Sequence, residues 1–164
     1  MPLLHKGVAM AAGRLPKVVK PRAHAVLDYM VIGSCLLGGA LFWRRNKRAA
    51  LGSLVCAGAA ALNVMLTDYP GGTHPVIPYK LHGQIDAGLA GLTASIPRLM
   101  DFADEPEARY FGAQALAETA ITGLTNFDYY DEGGPRDVDE DDVAEDRKER
   151  RAFQQANLRT WKRT

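Results

Sequence analysis

The sequence predicts an all-α protein, a four-helix transmembrane bundle made of two repeated helical hairpins. Three observations predict this fold class. The chain contains four apolar stretches of near-membrane length, and its motifs recur at an offset of 58 residues, the separation of His24 and His82. Its charged residues are concentrated at the two ends of the chain, outside the apolar stretches.

The composition excludes several classes of protein. The chain has 164 residues, which is room for one domain and a tail. A formal net charge of +1, from 20 Lys and Arg against 19 Asp and Glu, excludes a strongly basic nucleic-acid-binding protein, so no nucleic acid is expected as a partner. With only two cysteines, Cys35 and Cys56, the chain is neither a disulfide-dense scaffold nor a multi-cysteine zinc module. We expect both cysteines to be small buried side chains.

The charge distribution divides the chain into three parts. Residues 1–22 carry five basic residues and no acidic one, whereas residues 128–164 carry 8 basic and 11 acidic residues. The predicted parts are a basic N-terminal segment over 1–22, a duplicated four-helix membrane domain over 23–128, and a charged C-terminal tail or helix over 129–164.

The first two apolar stretches predict transmembrane helices by themselves. They are His24–Trp43 and Ala49–Thr67, each about as long as the 20 or so helical residues that span the apolar core of a bilayer. The second stretch has no charged residue at all. A water-soluble four-helix bundle, the main alternative, needs a polar stripe on the outer face of each helix, which this stretch does not provide.

The third and fourth stretches are weaker candidates for membrane spans. They are Leu81–Met100 and Arg109–Phe127. An Asp at the centre of a helix, such as Asp86, costs roughly 2.5–3.5 kcal/mol on insertion scales, whereas a Leu returns only about 0.3–0.6 kcal/mol. We therefore expect the polar face of the third helix to lie against other helices.

The repeat predicts how the helices are arranged. The segment Arg22–Asp28 aligns with Lys80–Asp86, and Leu66–Tyr69 aligns with Leu124–Phe127. Each repeat is a helical hairpin that crosses the membrane twice, so the second hairpin begins on the same side as the first. The two hairpins are then related by a pseudo-twofold axis along the membrane normal. The two repeats are residues 22–69 and 80–127.

The repeat also predicts a polar site at one end of the bundle. His24 and Asp28 share one helix face, as do His82 and Asp86, because residues four apart are neighbours on a helix. Two His and two carboxylates that face the interior could bind a divalent metal such as Zn²⁺ or Fe²⁺, or the two His could ligate haem axially. Alternatively, each Asp accepts hydrogen bonds and locks the first and third helices together. The structural polar cluster expected around them comprises Thr67, Asp68, Tyr69, Thr125 and Asn126.

Two further features of the apolar stretches carry predictions. Glu118 aligns with Ala60, so it is not part of the repeat. This carboxylate is expected to be either a proton site or the partner of Asn63 or Gln114. Small residues recur every four positions on the third stretch, and we expect them to pack inside the bundle rather than against another subunit, which is the alternative. They are Gly83, Ala87, Gly91 and Ser95.

These motifs resemble a known family. H-x3-D stands at two helix starts, L-T-D-Y precedes a short loop, and I-P-x3-H-x3-D follows it. This pattern is similar to the small bacterial tetrahelical membrane proteins called SPW-repeat proteins. The resemblance covers residues 21–128, although the Ser-Pro-Trp triplet itself is replaced by Ile96-Pro97-Arg98 in the second repeat. It implies four membrane helices and no particular activity.

The leading functional expectation is a small integral membrane protein with a non-catalytic structural or accessory role, such as one subunit of a larger membrane assembly. Two alternatives remain open: a metal- or haem-binding membrane protein that uses the paired His and Asp, and a small transporter or proton conductor. We do not expect an enzyme, because no nucleophile elbow, P-loop, HExxH or paired CxxC motif is present.

The expected location is a bacterial inner membrane, with the lipid bilayer and other membrane subunits as partners. The positive loop Arg44–Arg48 favours the cytoplasmic side for one end of the bundle. The equally positive N-terminal segment lies at the other end, together with the long charged tail, which would be difficult to export. We therefore expect both termini to be cytoplasmic.

Overall fold

The computed structural model describes residues 16–132. Residues 1–15 of the predicted basic segment and residues 133–164 of the predicted charged tail lie outside the described residues.

Over the described residues the chain forms four α-helices and no β-strand. The prediction of an all-α, four-helix protein is therefore confirmed. The helices are α1 (Pro21–Phe42), α2 (Lys47–Leu66), α3 (Tyr79–Leu99) and α4 (Ala108–Leu124).

The helix boundaries follow local sequence signals. Helix α1 begins at Pro21, whose fixed φ and missing N–H suit the first helical position. The side chain of Asn46 caps α2 by accepting a hydrogen bond from the backbone N–H of Ala49 at 3.0 Å. Helix α3 follows Pro78 and ends soon after Pro97, and the chain then turns through Asp101, which has a φ of 57°. Each break in the helical pattern thus coincides with a residue that favours it.

The two hairpins pack against each other mainly through α2 and α3. Helices α1 and α2 contact each other along their lengths, as do α3 and α4, and α2 also packs against α3. Cys35 and Cys56 are free thiols buried in the core between these helices, as expected from the sequence. Phe102 and Phe111 close this core at the end of the bundle that holds the 43–46 and 100–107 connections.

Hydrogen bonds at the other end recur at the repeat offset. The backbone N–H of Asp68 donates to the carbonyl of Ile77 at 2.9 Å. The equivalent residues 58 positions away make the same contact, because the N–H of Asn126 donates to the carbonyl of Val19 at 3.1 Å. These short segments tie the end of each hairpin to the residues that precede the other hairpin, which places the starts of α1 and α3 side by side.

Helices α1 and α2 are each long and apolar enough to cross a membrane, judged by length and composition. They are 22 and 20 residues long, and only 28% and 44% of their most apolar segments are buried within the protein. Helices α3 and α4 do not meet the same criterion among the described residues.

The small-residue ladder on α3 faces away from the bundle. Of its four members only Gly83 is buried, whereas Ala87, Gly91 and Ser95 are exposed. The prediction that the ladder packs inside the bundle is therefore wrong for three of its four positions. The face of α3 that contacts the other helices is defined instead by His82, Ala90, Thr93 and Ile96.

Candidate metal site

His24, Asp28, His82 and Asp86 converge where the repeat predicts, between the N-terminal turns of α1 and α3. We refer to these four residues as the His/Asp centre. Both His rings are completely buried, and Asp28 is 9% exposed. One potential ligand atom from each residue can be chosen such that all of them lie within 4.8 Å of one another. The four side chains are therefore close enough to share a single ion.

The spacing of three of these ligand atoms matches that of a tetrahedral metal site. The two Nε2 atoms of His24 and His82 are 3.2 Å apart, and each is 3.1 Å from Oδ2 of Asp86. Each Nε2 atom is also 3.4 Å from an oxygen of Asp28. Metal–ligand bonds of about 2.0–2.1 Å in a tetrahedral site place neighbouring ligand atoms about 3.3 Å apart. The two nitrogens and Oδ2 of Asp86 have this spacing, whereas Asp28 faces the two rings with different oxygens and has to shift to bring one of them into the same shell.

Two threonine hydroxyls determine which nitrogen of each His carries a proton. Thr67 Oγ1 lies 2.6 Å from the carbonyl oxygen of Asn63, and Thr125 Oγ1 lies 2.7 Å from the carbonyl oxygen of Ile121. A hydroxyl has one proton, and a carbonyl can only accept. Each Thr therefore donates to its own helix and must accept any other hydrogen bond.

The histidines supply the protons that the threonines accept. His82 Nδ1 lies 2.8 Å from Thr67 Oγ1, and His24 Nδ1 lies 2.9 Å from Thr125 Oγ1. Both Nδ1 atoms are thus donors, and a neutral imidazole then presents a bare lone pair at Nε2. These two Nε2 atoms are the ones that face each other and the carboxylates. In metal sites, the ring nitrogen of a His that does not bind the metal usually donates a hydrogen bond to a neighbouring group, and this bond orients the ring.

Four acceptors converging without a donor repel one another, so this arrangement needs a positive charge at its middle. Either protons on Nε2 or a metal cation can provide it. A proton on one Nε2 atom satisfies the contacts to the other ring and to Asp86 but leaves one carboxylate charge unbalanced, and protonating both rings places two N–H groups against each other across 3.2 Å. A single dication instead balances the two carboxylates and uses both lone pairs.

The two carboxylates also accept hydrogen bonds from residues outside the His/Asp centre. Asn63 donates to Oδ1 of Asp86 at 2.8 Å, and the Tyr69 hydroxyl donates to Oδ2 of Asp28 at 2.7 Å. Burial, together with the adjacent Asp28 carboxylate, raises the pKa of the Tyr69 hydroxyl, which therefore remains a donor at neutral pH. These contacts orient each Asp towards the histidines.

An aromatic layer covers the centre at the end of the bundle. The Phe127 ring packs edge-on to His24 with ring centroids 5.0 Å apart, and Tyr79 stacks on His82 at 5.9 Å. Tyr69 stacks on Tyr79 at 5.5 Å. Gly83 makes room for this layer, because a Cβ atom there would lie 2.6 Å from the Phe127 ring. The layer shields the two His rings from solvent.

The predicted polar cluster is only partly assembled. Thr67, Tyr69 and Thr125 contact the His/Asp centre directly, as described above. Asp68 is exposed and contributes a backbone N–H to the register of the hairpins. The Asn126 side chain donates to Glu132 at 3.1 Å and accepts from the N–H of Asp128, away from the centre.

The two His rings are closer together than haem ligated between them requires. Axial bonds of about 2 Å on either side of an iron require the two Nε2 atoms to be about 4 Å apart, with a flat macrocycle between them. The Nε2 atoms of His24 and His82 are 3.2 Å apart, and Asp86 contacts both of them. Haem binding by this pair stays a prediction from the sequence, and it requires the two rings to move apart.

Some interacting residues were not assigned correctly from the sequence. Asn63, considered there as one partner of Glu118, donates to Asp86 instead, whereas Gln114, the other partner considered, makes a hydrogen bond with Glu118. Asn63 is the only side-chain amide in the apolar stretch Ala49–Thr67. A single amide in such a stretch is the sequence feature that could have indicated a buried hydrogen-bond partner. At the opposite end, Arg48 pairs with Glu105 at 2.7 Å, joining the two hairpins there as well.

Comparisons with protein-family models, curated proteins and solved structures find no match to this chain.

Proposed function

We propose that the chain is a multi-pass membrane protein that binds one divalent transition-metal ion through His24, Asp28, His82 and Asp86. The single observation that carries the metal proposal is the paired threonine contact. It turns the lone pairs of both His rings towards two carboxylates inside a buried, ion-sized space.

The donor set indicates the class of metal. Two imidazole nitrogens and two carboxylate oxygens suit a borderline cation such as Zn²⁺ or Fe²⁺ better than Mg²⁺ or Ca²⁺, which prefer oxygen ligands alone. A metal bound there would join α1 to α3 and therefore one hairpin to the other. Because the ligands are brought together only in the folded chain, binding would contribute directly to folding.

The outward faces of all four helices support a four-span bundle. Large apolar side chains are exposed on α1 and α2, including Leu37 at 59% and Leu62 at 62%. After its first turn, α4 presents only uncharged residues outward, namely Gly112, Ala113, Leu116, Ala117, Thr119 and Ala120. The middle of α3 likewise presents Ala87, Gly88, Gly91, Ala94 and Ser95. Such faces suit lipid, whereas a water-soluble bundle needs charge on them.

The charged groups are placed as membrane helices require. The basic residues of α1, α2 and α3 lie in their first or last turns, as Arg22, Lys80 and Arg98 illustrate. The acidic residues in the middle of the bundle, Asp28 and Glu118, line an interior cavity. Ionisable residues within membrane helices face the bundle interior because exposure to lipid is costly. Membership of the SPW-repeat family and location in a bacterial inner membrane remain part of this proposal.

A structural or accessory role without a metal is the rival function. In that case shared protons would hold the centre together, and the contacts of Asn63 and Tyr69 would serve only to lock the helices.

Elemental analysis separates the two functions. Full-length protein is purified in detergent and dialysed to remove loosely bound trace metals. It should then retain about one equivalent of metal. His24→Ala and His82→Ala should each lose it. The matched control is His74→Ala, because His74 is exposed in the loop after α2 and its side chain contacts only Thr73 among the hydrogen bonds described. Metal content that is absent in the wild type, or that falls equally in the His74 variant, would contradict metal binding at the centre.

Membrane extraction tests the bundle independently. The protein should sediment with membranes and remain there after alkaline carbonate treatment. Recovery of a stable monomer in buffer without detergent would contradict the membrane part of the proposal and leave the metal part standing.

A further inference from the structure

A cavity of about 30 Å³ lies between the four helices, adjoining the His/Asp centre. Asp28 and Asp86 line it on the side of the centre, and Cys56, Thr93 and Glu118 line it further along the bundle. Thr93 is seven residues beyond Asp86 in α3, which corresponds to about 10 Å along the helix axis. One water molecule needs roughly 10–15 Å³ of such space, so the cavity can hold a short file of molecules of that size.

Glu118 has an unsatisfied oxygen in this part of the bundle. Its Oε2 atom is buried and has no hydrogen-bond partner among the described residues. An unpaired carboxylate oxygen away from water is costly. The equivalent position in the first hairpin is Ala60, which lines the same cavity, so packing of the hairpin does not require a carboxylate there.

The lining indicates what occupies the cavity. Most of it is aliphatic, and the residues that make it so are Val31, Ala60, Val64, Leu89, Leu92 and Ile121. Beside the centre itself, only Glu118, Thr93 and Thr122 offer oxygen atoms. A hard cation requires about six oxygen ligands, more than these side chains can supply. A small neutral hydrogen-bond donor satisfies Glu118 and fits the available volume.

The cavity also meets the centre on one side only. The two Asp line it, whereas His24 and His82 do not. The aromatic layer covers the histidines at the end of the bundle. A molecule inside the protein therefore approaches the centre from the carboxylate side, and a tetrahedral metal can expand to accept a fifth ligand.

We propose that this cavity is a binding chamber for a file of about two small neutral hydrogen-bond donors of water size. The molecule beside the centre is an added ligand of the metal, and the molecule at the other end donates to Glu118. This inference rests on the proposed metal site and adds to it a place where an outside molecule meets the metal.

Pulsed electron paramagnetic resonance of Cu²⁺-loaded, full-length protein in detergent tests the chamber. In deuterated water, a ligand water gives strong deuterium modulation of the copper signal. Ala60→Val fills the chamber and should remove that modulation at unchanged copper content. Exchangeable protons of the His rings contribute equally to both samples, so the difference measures the added ligand. The matched control is Ala117→Val, which is exposed on α4 and should keep the full modulation.

Variants of Glu118 provide a second test, which does not depend on filling the chamber with a larger side chain. Glu118→Leu removes the acceptor and should weaken the modulation, whereas Glu118→Gln keeps an acceptor oxygen and should preserve most of it. Wild-type modulation in both Ala60→Val and Glu118→Leu, at equal copper content and thermal stability, would overturn the chamber while leaving the metal site intact. Copper that fails to bind the wild type, or that binds His24→Ala equally well, would instead overturn the metal site, and the chamber with it.

Discussion

Thr67 and Thr125 each hold the histidine of the opposite hairpin. Thr67, at the end of the first hairpin, contacts His82 at 2.8 Å, and Thr125, at the end of the second, contacts His24 at 2.9 Å. Both hydroxyls are already committed to a carbonyl one turn earlier in their own helices. The repeat therefore contains the same arrangement twice. In each copy, the threonine at the end of one hairpin fixes the orientation of the histidine ring in the other hairpin.

Removing these hydroxyls should weaken metal binding without removing a ligand. Thr67→Val and Thr125→Val are each expected to lower the affinity roughly 10–100-fold, the usual effect of losing a partner of a ligating His. Competition with a fluorescent chelator measures the change, and Thr→Ser should restore most of it. The matched control is Thr119→Val, because Thr119 makes the same bond to the carbonyl of Ala115 but lies on the outer face. Equal affinity in all variants would show that the tautomers are not set by Thr67 and Thr125.

Tyr69→Phe tests the outer support of Asp28. Phenylalanine already occupies the equivalent position in the second hairpin, at Phe127, so the ring itself should be accommodated. The variant loses the 2.7 Å hydrogen bond to Asp28 and is expected to be about 1 kcal/mol less stable, with metal affinity lower by roughly 10-fold. Chemical denaturation and chelator competition would measure the two effects. Unchanged values for both would mean that Asp28 does not depend on this donor.

The two aspartates are not equivalent, and their alanine variants should differ. Asp86 lies 3.1 Å from both Nε2 atoms and accepts from Asn63, whereas Asp28 lies 3.4 Å from each. Each alanine variant removes the acceptor of a buried donor, at a cost of about 1–3 kcal/mol: Asp28→Ala that of the Tyr69 hydroxyl, and Asp86→Ala that of one Asn63 N–H, whose amide keeps a 3.4 Å contact to the His82 carbonyl. Asp86→Ala also removes the two shorter contacts to the His rings. It should lower the melting temperature more than Asp28→Ala does, measured with a chelator present so that metal loss contributes equally. The reverse order would contradict the assigned contacts.

Two glycines provide a matched pair for the loop that positions Thr67. A Cβ atom at Gly72 would overlap the carbonyl oxygen of Thr67, whereas one at Gly58 has nothing within 4 Å. Gly72→Ala should therefore displace Thr67, destabilise the protein by about 1–3 kcal/mol and weaken metal binding. Gly58→Ala should be neutral or stabilise α2 by about 0.5–1 kcal/mol. Thermal melting in detergent with and without metal distinguishes them, and similar behaviour of the two variants would contradict the loop geometry.

Much of the architecture and of the centre could be predicted because both are encoded by spacing. Apolar stretches of about 20 residues predict helices, and the offset of 58 residues pairs His24 with His82 before any coordinates are known. Residues four apart share a helix face, so Asp28 and Asp86 follow their histidines into the interior. The sequence could thus identify the four members of the centre, although not the atoms they present.

The remaining contacts could not be predicted because they break the repeat. Asn63 has Ile121 at its equivalent position, and Tyr69 has Phe127, so a search for matched residues assigns no partner contact to either. The orientation of the α3 small-residue ladder also depends on which face meets α2 and α4. That choice is made by tertiary packing rather than by a four-residue period, and the ladder therefore faces outward.

The most direct test of the metal site is an anomalous difference map from crystals of the metal-loaded protein. Data collected at the absorption edge of the metal found by elemental analysis should show one peak between the four side chains. The peak should lie about 2.0–2.1 Å from Nε2 of both His24 and His82, with an oxygen of Asp86 at about 2.0–2.2 Å. A fully loaded crystal with no peak there, or with its only peak elsewhere on the protein, would contradict the assignment of these residues as ligands.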